Sequence, residues 1–415
     1  MEPKTKKSKI SRATLLILLC WMVYTCSYVG KLSYNANISQ IGQHYGVSYS
    51  QTGMVATFFF FAYGAGQIIN GMLCKRYNIK YVIAGSLLVA CAMNLLVVNV
   101  SSFAYIKYLW LIDGFAMSFL WSSLIRLLSE TLRNEDISKA IVAMGTTTAS
   151  GTFITYGLSA GLAVFGAFRV VFYIAAIIMG VVALTWLFSF DKLVLPLKVQ
   201  NQDIPRVAAK IEQTHIEKKK AGLFPVLCML ALFAIANNLT KDGLTSWTPD
   251  ILAALYKTPG WLSILLTLLL PVMAIGGVLV SVKLHQKLND FVAVCTAFFL
   301  GAVVLIATVL GFLSTPMIVV TICCLAIVSC MMAGVNNVIT SIAPLHLKGQ
   351  VDSGKLAGVL NGFCYLGSTI SSYGLGLVAD QWGWKAVFIL LLGVSVAISA
   401  LGGSYLLAKR LKAEK

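Results

Sequence analysis

The chain is poor in charge. Only 11% of its 415 residues are charged and only 15 are acidic, against 58% hydrophobic, with a mean hydropathy of +0.84. A soluble domain carries about 25% charged residues, so an ordinary soluble enzyme or binding module is excluded. Long polar stretches are missing too. The longest runs from Phe190 to Gly222, too short for a soluble domain of ordinary size. The ten cysteines, Cys20, Cys91, Cys323 and Cys324 among them, show neither metal-ligand spacing nor a disulfide framework, which leaves them as small packing residues. No glycine-rich phosphate loop and no nucleophile–base pair is present. An enzyme is therefore not expected, nor is a cofactor or a metal centre.

What is present is a succession of apolar segments, each close to the ~20 residues that cross a hydrocarbon core as a helix. They predict an all-α membrane protein with twelve transmembrane helices in two pseudo-symmetric six-helix halves. The halves are residues 1–189 and 223–415, joined by a linker over 190–222 in which Ile211–Lys220 suits a short helix beside anionic headgroups. The basic start and first apolar run mimic a signal peptide, but no small-residue cleavage site follows and further spans do, so this is the first span.

The net charge of +17 is distributed unevenly. Alternating the spans leaves Lys107, Arg169, Lys257 and Lys385 on one side. Lys31 and Lys241 fall within spans, and all other Lys and Arg lie on the side of the termini. That is the positive-inside pattern; it places both termini and the linker in the cytoplasm of a cell-membrane protein and requires an even number of spans. The basic charge is thus matched to a lipid bilayer and not to nucleic acid, and a monomer is expected. A weak repeat supports the two halves: Arg169-Val-Val-Phe172 and Lys385-Ala-Val-Phe388 each open the last span of a half, after Gly166 and Gly383 respectively.

Two lysines stand out. Lys241 lies in Leu239-Thr-Lys-Asp-Gly-Leu-Thr-Ser-Trp-Thr-Pro249, within a span, and Lys31 interrupts the first one, half a chain away. A charged side chain in the membrane costs several kcal/mol unless it faces a cavity or a partner, so each marks a candidate anion site. Asp242 adjoins Lys241, about 100° round the helix, and is expected to be a poor direct partner. Lys31, near the end of its span, could instead snorkel to the headgroups. Tyr28, Tyr34 and Asn35 extend the polar face of Lys31, and Trp121, Asn237, Asn361 and Tyr365 are further candidate hydrogen-bonding residues for a central cavity. Each of these is as readily a packing or interface residue. Asp113, read as the only carboxylate well inside a span, is either a coupling group that takes up a proton or a polar anchor between helices.

Four stretches carry a resemblance to a known family. Tyr28-Val-Gly-Lys31-Leu-Ser-Tyr34-Asn35, Asp113-Gly-Phe-Ala-Met-Ser-Phe-Leu-Trp121-Ser122, the Lys241–Pro249 stretch, and Gly358–Ser368 continuing through Asp380-Gln-Trp-Gly-Trp-Lys385 resemble the first-, fourth-, seventh- and eleventh-helix motifs of the organophosphate:inorganic-phosphate antiporters of the major facilitator superfamily. The resemblance implies the twelve-helix fold, with a substrate phosphate clamped by two arginines at the positions of Lys31 and Lys241. Here both are lysine, a point charge in place of a planar two-pronged donor. Gly71-Met-Leu-Cys-Lys75-Arg76 also departs from the superfamily's Gly-x-x-x-Asp-Arg loop motif.

The resulting expectation is a secondary transporter of a small organic anion, a phosphate ester exchanged for inorganic phosphate by alternating access between halves that meet at the midplane. The alternatives are a proton- or sodium-coupled carrier of organic carboxylates such as sugar acids, with Asp113 as the coupling residue, and a sugar-phosphate sensor that does not transport.

Overall fold

The computed structural model describes residues 11–73, 76–200, 223–313, 315, 317–347, 350–351 and 353–413. The expected surface helix at Ile211–Lys220 lies outside these residues. All regular structure among the described residues is helical. In the first half, α1 (Arg12–Ala36) is capped by the Ser11 hydroxyl, which accepts from the Thr14 amide, and a short α2 (Ile38–Tyr45) ends at Gly46 with φ 62°. There follow α3 (Tyr49–Leu73), α4 (Ile79–Asn99), α5 (Ile106–Met117), α6 (Leu120–Thr131), α7 (Asn134–Ala163) and α8 (Phe168–Gln200). The second half contains α9 (Leu223–Tyr256), α10 (Gly260–Thr267), α11 (Leu269–Leu288), α12 (Phe291–Phe312), α13 (Ile318–Asn337), a π-helical turn at Val338–Ile342, α14 (Ala343–His346) and α15 (Ser353–Ala413).

Ten helical stretches among the described residues are long and apolar enough to cross a membrane. The last of them hides two spans. At 1.5 Å per residue a straight α15 would be about three times as long as a ~30 Å hydrocarbon core is thick. It folds back at Gly383, whose φ of 75° and ψ of 173° suit glycine. The polar α7, 30 residues long, supplies the remaining span, giving twelve. Two spans are interrupted, α5/α6 at Ser118–Phe119 and α10/α11 at Leu268.

The two halves repeat one packing scheme. In the first, α1 packs on α7 and α8, α3 on α5, and α4 on α8; in the second, α9 packs on α15, α11 on α13, and α12 on α15. The matched turns at Gly166 (φ 65°) and Gly383 (φ 75°) are both left-handed. The halves meet along α3 and α15 and along α7 and α10. At the first seam the backbones touch. A Cβ on Gly53 would sit 2.0 Å from the Ser372 carbonyl oxygen, and one on Gly376 would sit 2.7 Å from that of Tyr49. Membrane helices have no hydrophobic drive to associate with each other, so close approach over small residues supplies the contact.

The helix α8 continues beyond Phe190, where the loss of apolar character suggests the linker. The reason is an amphipathic face: Trp186, Phe190, Val194 and Leu197, spaced by three or four residues, pack on the core. On the flank, Lys80 Nζ pairs with Asp191 at 2.6 Å.

Candidate functional site

Lys31 projects from α1 into the interior and is 8% exposed. It does not reach the headgroups. Its ammonium lies among five aromatic rings: 4.4 Å from the centroid of Tyr63, 5.1 Å from Tyr28, 5.5 Å from Tyr365, 5.6 Å from Phe59 and 5.7 Å from Phe60. Ring faces attract a cation, by up to about 2 kcal/mol each when desolvated, yet they cannot cancel its charge. Among the described residues no carboxylate pairs with Lys31. Three elements build this cage: α1 with Tyr28, α3 with Phe59, Phe60 and Tyr63, and α15 of the other half with Tyr365. The Tyr63 and Tyr365 rings are themselves 4.7 Å apart, so the cage spans the seam between halves.

Lys241 lies on α9, and it corrects one expectation. Its ammonium pairs with the neighbouring Asp242 at 3.3 Å. The long lysine stem bends round the helix to the carboxylate, which is fixed from the other side. Asp242 Oδ2 accepts from Ser368 Oγ of α15 at 2.5 Å and from Asn238 Nδ2 at 3.1 Å. The pair remains reachable, with the Lys241 and Asp242 side chains 26% and 21% exposed.

Asp113 is fully buried on α5, and among the described residues neither carboxylate oxygen has a hydrogen-bond partner. Asp113 is not the only carboxylate within a span, because α9 also encloses Asp242 and Asp250. The other expected residues divide. Trp121 continues the aromatic lining, its ring 4.7 Å from Tyr24, which in turn lies 5.4 Å from Tyr28. Asn361 is half-buried across the seam, its Nδ2 3.5 Å from Gln67 Oε1. Tyr34 is turned into the first half, where its hydroxyl donates to the Thr52 carbonyl at 2.9 Å and its ring packs on Trp110. Asn237 is fully buried and donates to Asn238 Oδ1.

Asn35 serves a different contact. Its Nδ2 donates to Ser246 Oγ across the halves at 3.0 Å. It belongs to a group that shuts the face opposite the termini. There Asp380 of α15 accepts from the backbone amides of Tyr49 and Ser50 at 2.9 and 2.7 Å, capping α3 from the other half. Beside it, the Tyr49 ring lies 5.0 Å from Trp384, and Trp384 lies 5.7 Å from Trp247. On the opposite flank, the Tyr156 hydroxyl donates to the Thr245 carbonyl.

Sequence reasoning missed Phe59, Phe60 and Tyr63 as cage walls, Ser368 as the holder of Asp242, and Asp380 as a cap. The Phe58–Tyr63 run of aromatics was the available signal for the first. The others depend on which helices meet.

With the geometry in place, comparison with known proteins decides the family. Residues 20–353 match the profile of the Major Facilitator Superfamily. The chain belongs to that superfamily. This superfamily member is 22% identical to the Membrane sensor protein UhpC of Escherichia coli strain K12, over 93% of its own length and 90% of the relative's. It is 21% identical to a Probable hexose phosphate transport protein of Chlamydia pneumoniae, over 96% and 92% of the two chains. Among solved structures, the bacterial homolog of the human lysosomal transporter Spinster in its inward-facing, occupied conformation superposes with a TM-score of 0.74 at 14% identity, covering 97% and 98% of the two chains. The nucleoside transporter NupG superposes with a TM-score of 0.71 at 13% identity, covering 94% and 99%. The protein is therefore a multi-pass membrane protein with the fold of a superfamily of transporters, not of an enzyme.

Proposed function

We propose that this protein is a secondary transporter of a small organic anion, a sugar phosphate or similar phosphate ester, taken in exchange for inorganic phosphate by alternating access. It sits in the cell membrane with both termini cytoplasmic. The observation that carries the reading is Lys31: an interior ammonium held by rings alone, with no carboxylate to cancel its charge among the described residues. Such a charge calls for an anionic ligand. Lys241 supplies a second cation from the other half, so one anion bound by both draws the halves together. The contacts at Asn35, Asp380 and Trp384 close the face opposite the termini, so the ligand enters this conformation from the cytoplasmic side. The hexose-phosphate name of the Chlamydia relative supports the phosphate-ester class.

The test is uptake of labelled glucose 6-phosphate into phosphate-loaded proteoliposomes. Lys31→Gln and Lys241→Gln should each lower the rate by two orders of magnitude or so, because each removes a charge contact made only in the membrane interior. Full-rate uptake by both variants would remove the lysines from the site. A second reading, a sugar-phosphate sensor, is favoured by the relative of that kind; it predicts glucose 6-phosphate binding with no uptake by the wild type.

A further inference from the structure

The two lysines are not equivalent. Among the described residues, the ammonium of Lys31 is surrounded by rings with no carboxylate paired to it, while Lys241 has a carboxylate of its own at 3.3 Å. Asp242 is built in. Ser368 reaches it from α15, Asn238 reaches it from one turn earlier on α9, and Asn238 also donates to Ser368 Oγ at 3.1 Å. The remaining oxygen, Oδ1, faces Lys241 at 3.3 Å, longer than a charge-assisted hydrogen bond, and both side chains are partly exposed. A ligand oxygen can therefore replace Asp242 Oδ1 at Lys241 while Asp242 stays hydrogen-bonded to Ser368 and Asn238.

We infer that Asp242 is a resident counter-ion that takes the place of the substrate's anion at Lys241 when the site is empty. The inference rests on the transporter reading above and sharpens its exchange step. A carrier with two uncompensated interior cations is trapped when empty, because sealing an unpaired charge in a low-dielectric site is costly. Such a carrier must exchange one anion for another. With Asp242 on Lys241, only Lys31 lacks a counter-charge in the empty site, where the aromatic cage partly offsets its desolvation, and the halves can rearrange unloaded. Transport is then not confined to one-for-one exchange: the protein also performs net movement of its anion. Asp242 acts through Lys241 and is a positioning residue that sets this coupling.

The experiment uses the full chain in proteoliposomes and reads the ratio of two initial rates for labelled glucose 6-phosphate: net uptake into vesicles free of phosphate, and exchange into vesicles loaded with phosphate. The wild type should give a ratio within about tenfold of unity, and Asp242→Asn should lower that ratio by about tenfold or more, since the amide leaves Lys241 uncompensated in the empty site. Asp242→Glu should restore most of the ratio. Ser368→Ala, which loosens the carboxylate without removing it, should lower the ratio by a smaller factor and serves if Asp242→Asn does not fold. A merely structural role would lower both rates together and leave the ratio unmoved. An unchanged ratio in folded Asp242→Asn overturns the counter-ion role while leaving the transporter reading intact; loss of both rates in folded Asp242→Asn and Asp242→Glu overturns it as well, by making the carboxylate part of ligand binding. Absence of both rates in the wild type overturns the transporter reading and this inference with it.

Discussion

At the scale of single residues, the surroundings of the charged groups carry the chemistry. Lys31 is tolerated in the interior because five rings surround it, with Tyr63 closest at 4.4 Å. If the ring face matters and not the hydroxyl, Tyr63→Phe should melt like wild type in detergent. Tyr63→Leu should lose on the order of 1–2 kcal/mol of stability in the empty protein, read as a lowered melting temperature. Equal melting of the two variants would count against the cage. Asp113 is a separate case. Its oxygens have no partner among the described residues in a fully buried site, and a bare buried carboxylate is strongly disfavoured in its ionised form. If it is an anchor held neutral, Asp113→Asn should leave the response of uptake to an imposed pH gradient unchanged. Loss of that response would make it a coupling group.

At the scale of helices, several elements depart from what their composition suggests. The polar α7 spans with Thr147, Thr152, Thr155 and Ser159 buried, and Gly151 meets Tyr28 and the Thr25 carbonyl of α1 so closely that a Cβ there would lie 2.4 Å from the Tyr28 side chain. The amino end of α3 shows the reverse economy, with its first amides satisfied by Asp380 of the other half. An acidic cap matched to a helix dipole stabilises the capped state by about 1 kcal/mol. Under the proposed alternating access, that cap is lost when the face opposite the termini opens. Asp380→Ala should therefore shift the closed–open balance roughly fivefold toward open, seen as faster labelling of a cysteine placed at Ser50 by an impermeant thiol reagent. Gly53→Val should act in the same direction more strongly, because its side chain would overlap the Ser372 backbone.

At the scale of the whole molecule, the contacts between halves are distributed unevenly. Asn35–Ser246, Asp380 on α3, the Tyr49–Trp384–Trp247 cluster and Tyr156–Thr245 all lie on the face opposite the termini. Toward the termini, the Asn361–Gln67 contact is long at 3.5 Å. Under the proposed alternating-access function, this is the end state in which the face opposite the termini is shut. A disulfide formed between cysteines at Asn35 and Ser246 should hold that face shut and stop uptake in the proposed assay, and a reductant should restore it. Full uptake in the cross-linked protein would show that this face need not open.

The amino-acid sequence by itself determined the membrane, the twelve helices, the two halves and the pair of interior lysines, because these follow from composition and spacing along one chain. Hydrophobic length and the placement of basic residues are local quantities, and a charge in an apolar run is visible without any partner. The tertiary structure decided what each charge faces. Sequence spacing argued that Asp242 would point away from Lys241; Ser368, on α15 and more than a hundred residues distant, holds the carboxylate where the lysine can reach it. Tyr34 and Asn35 share a polar face with Lys31, but one is spent on Thr52 and the other on Ser246. A side chain's partner is set by which helices pack against it, and that is a property of the folded pair of halves.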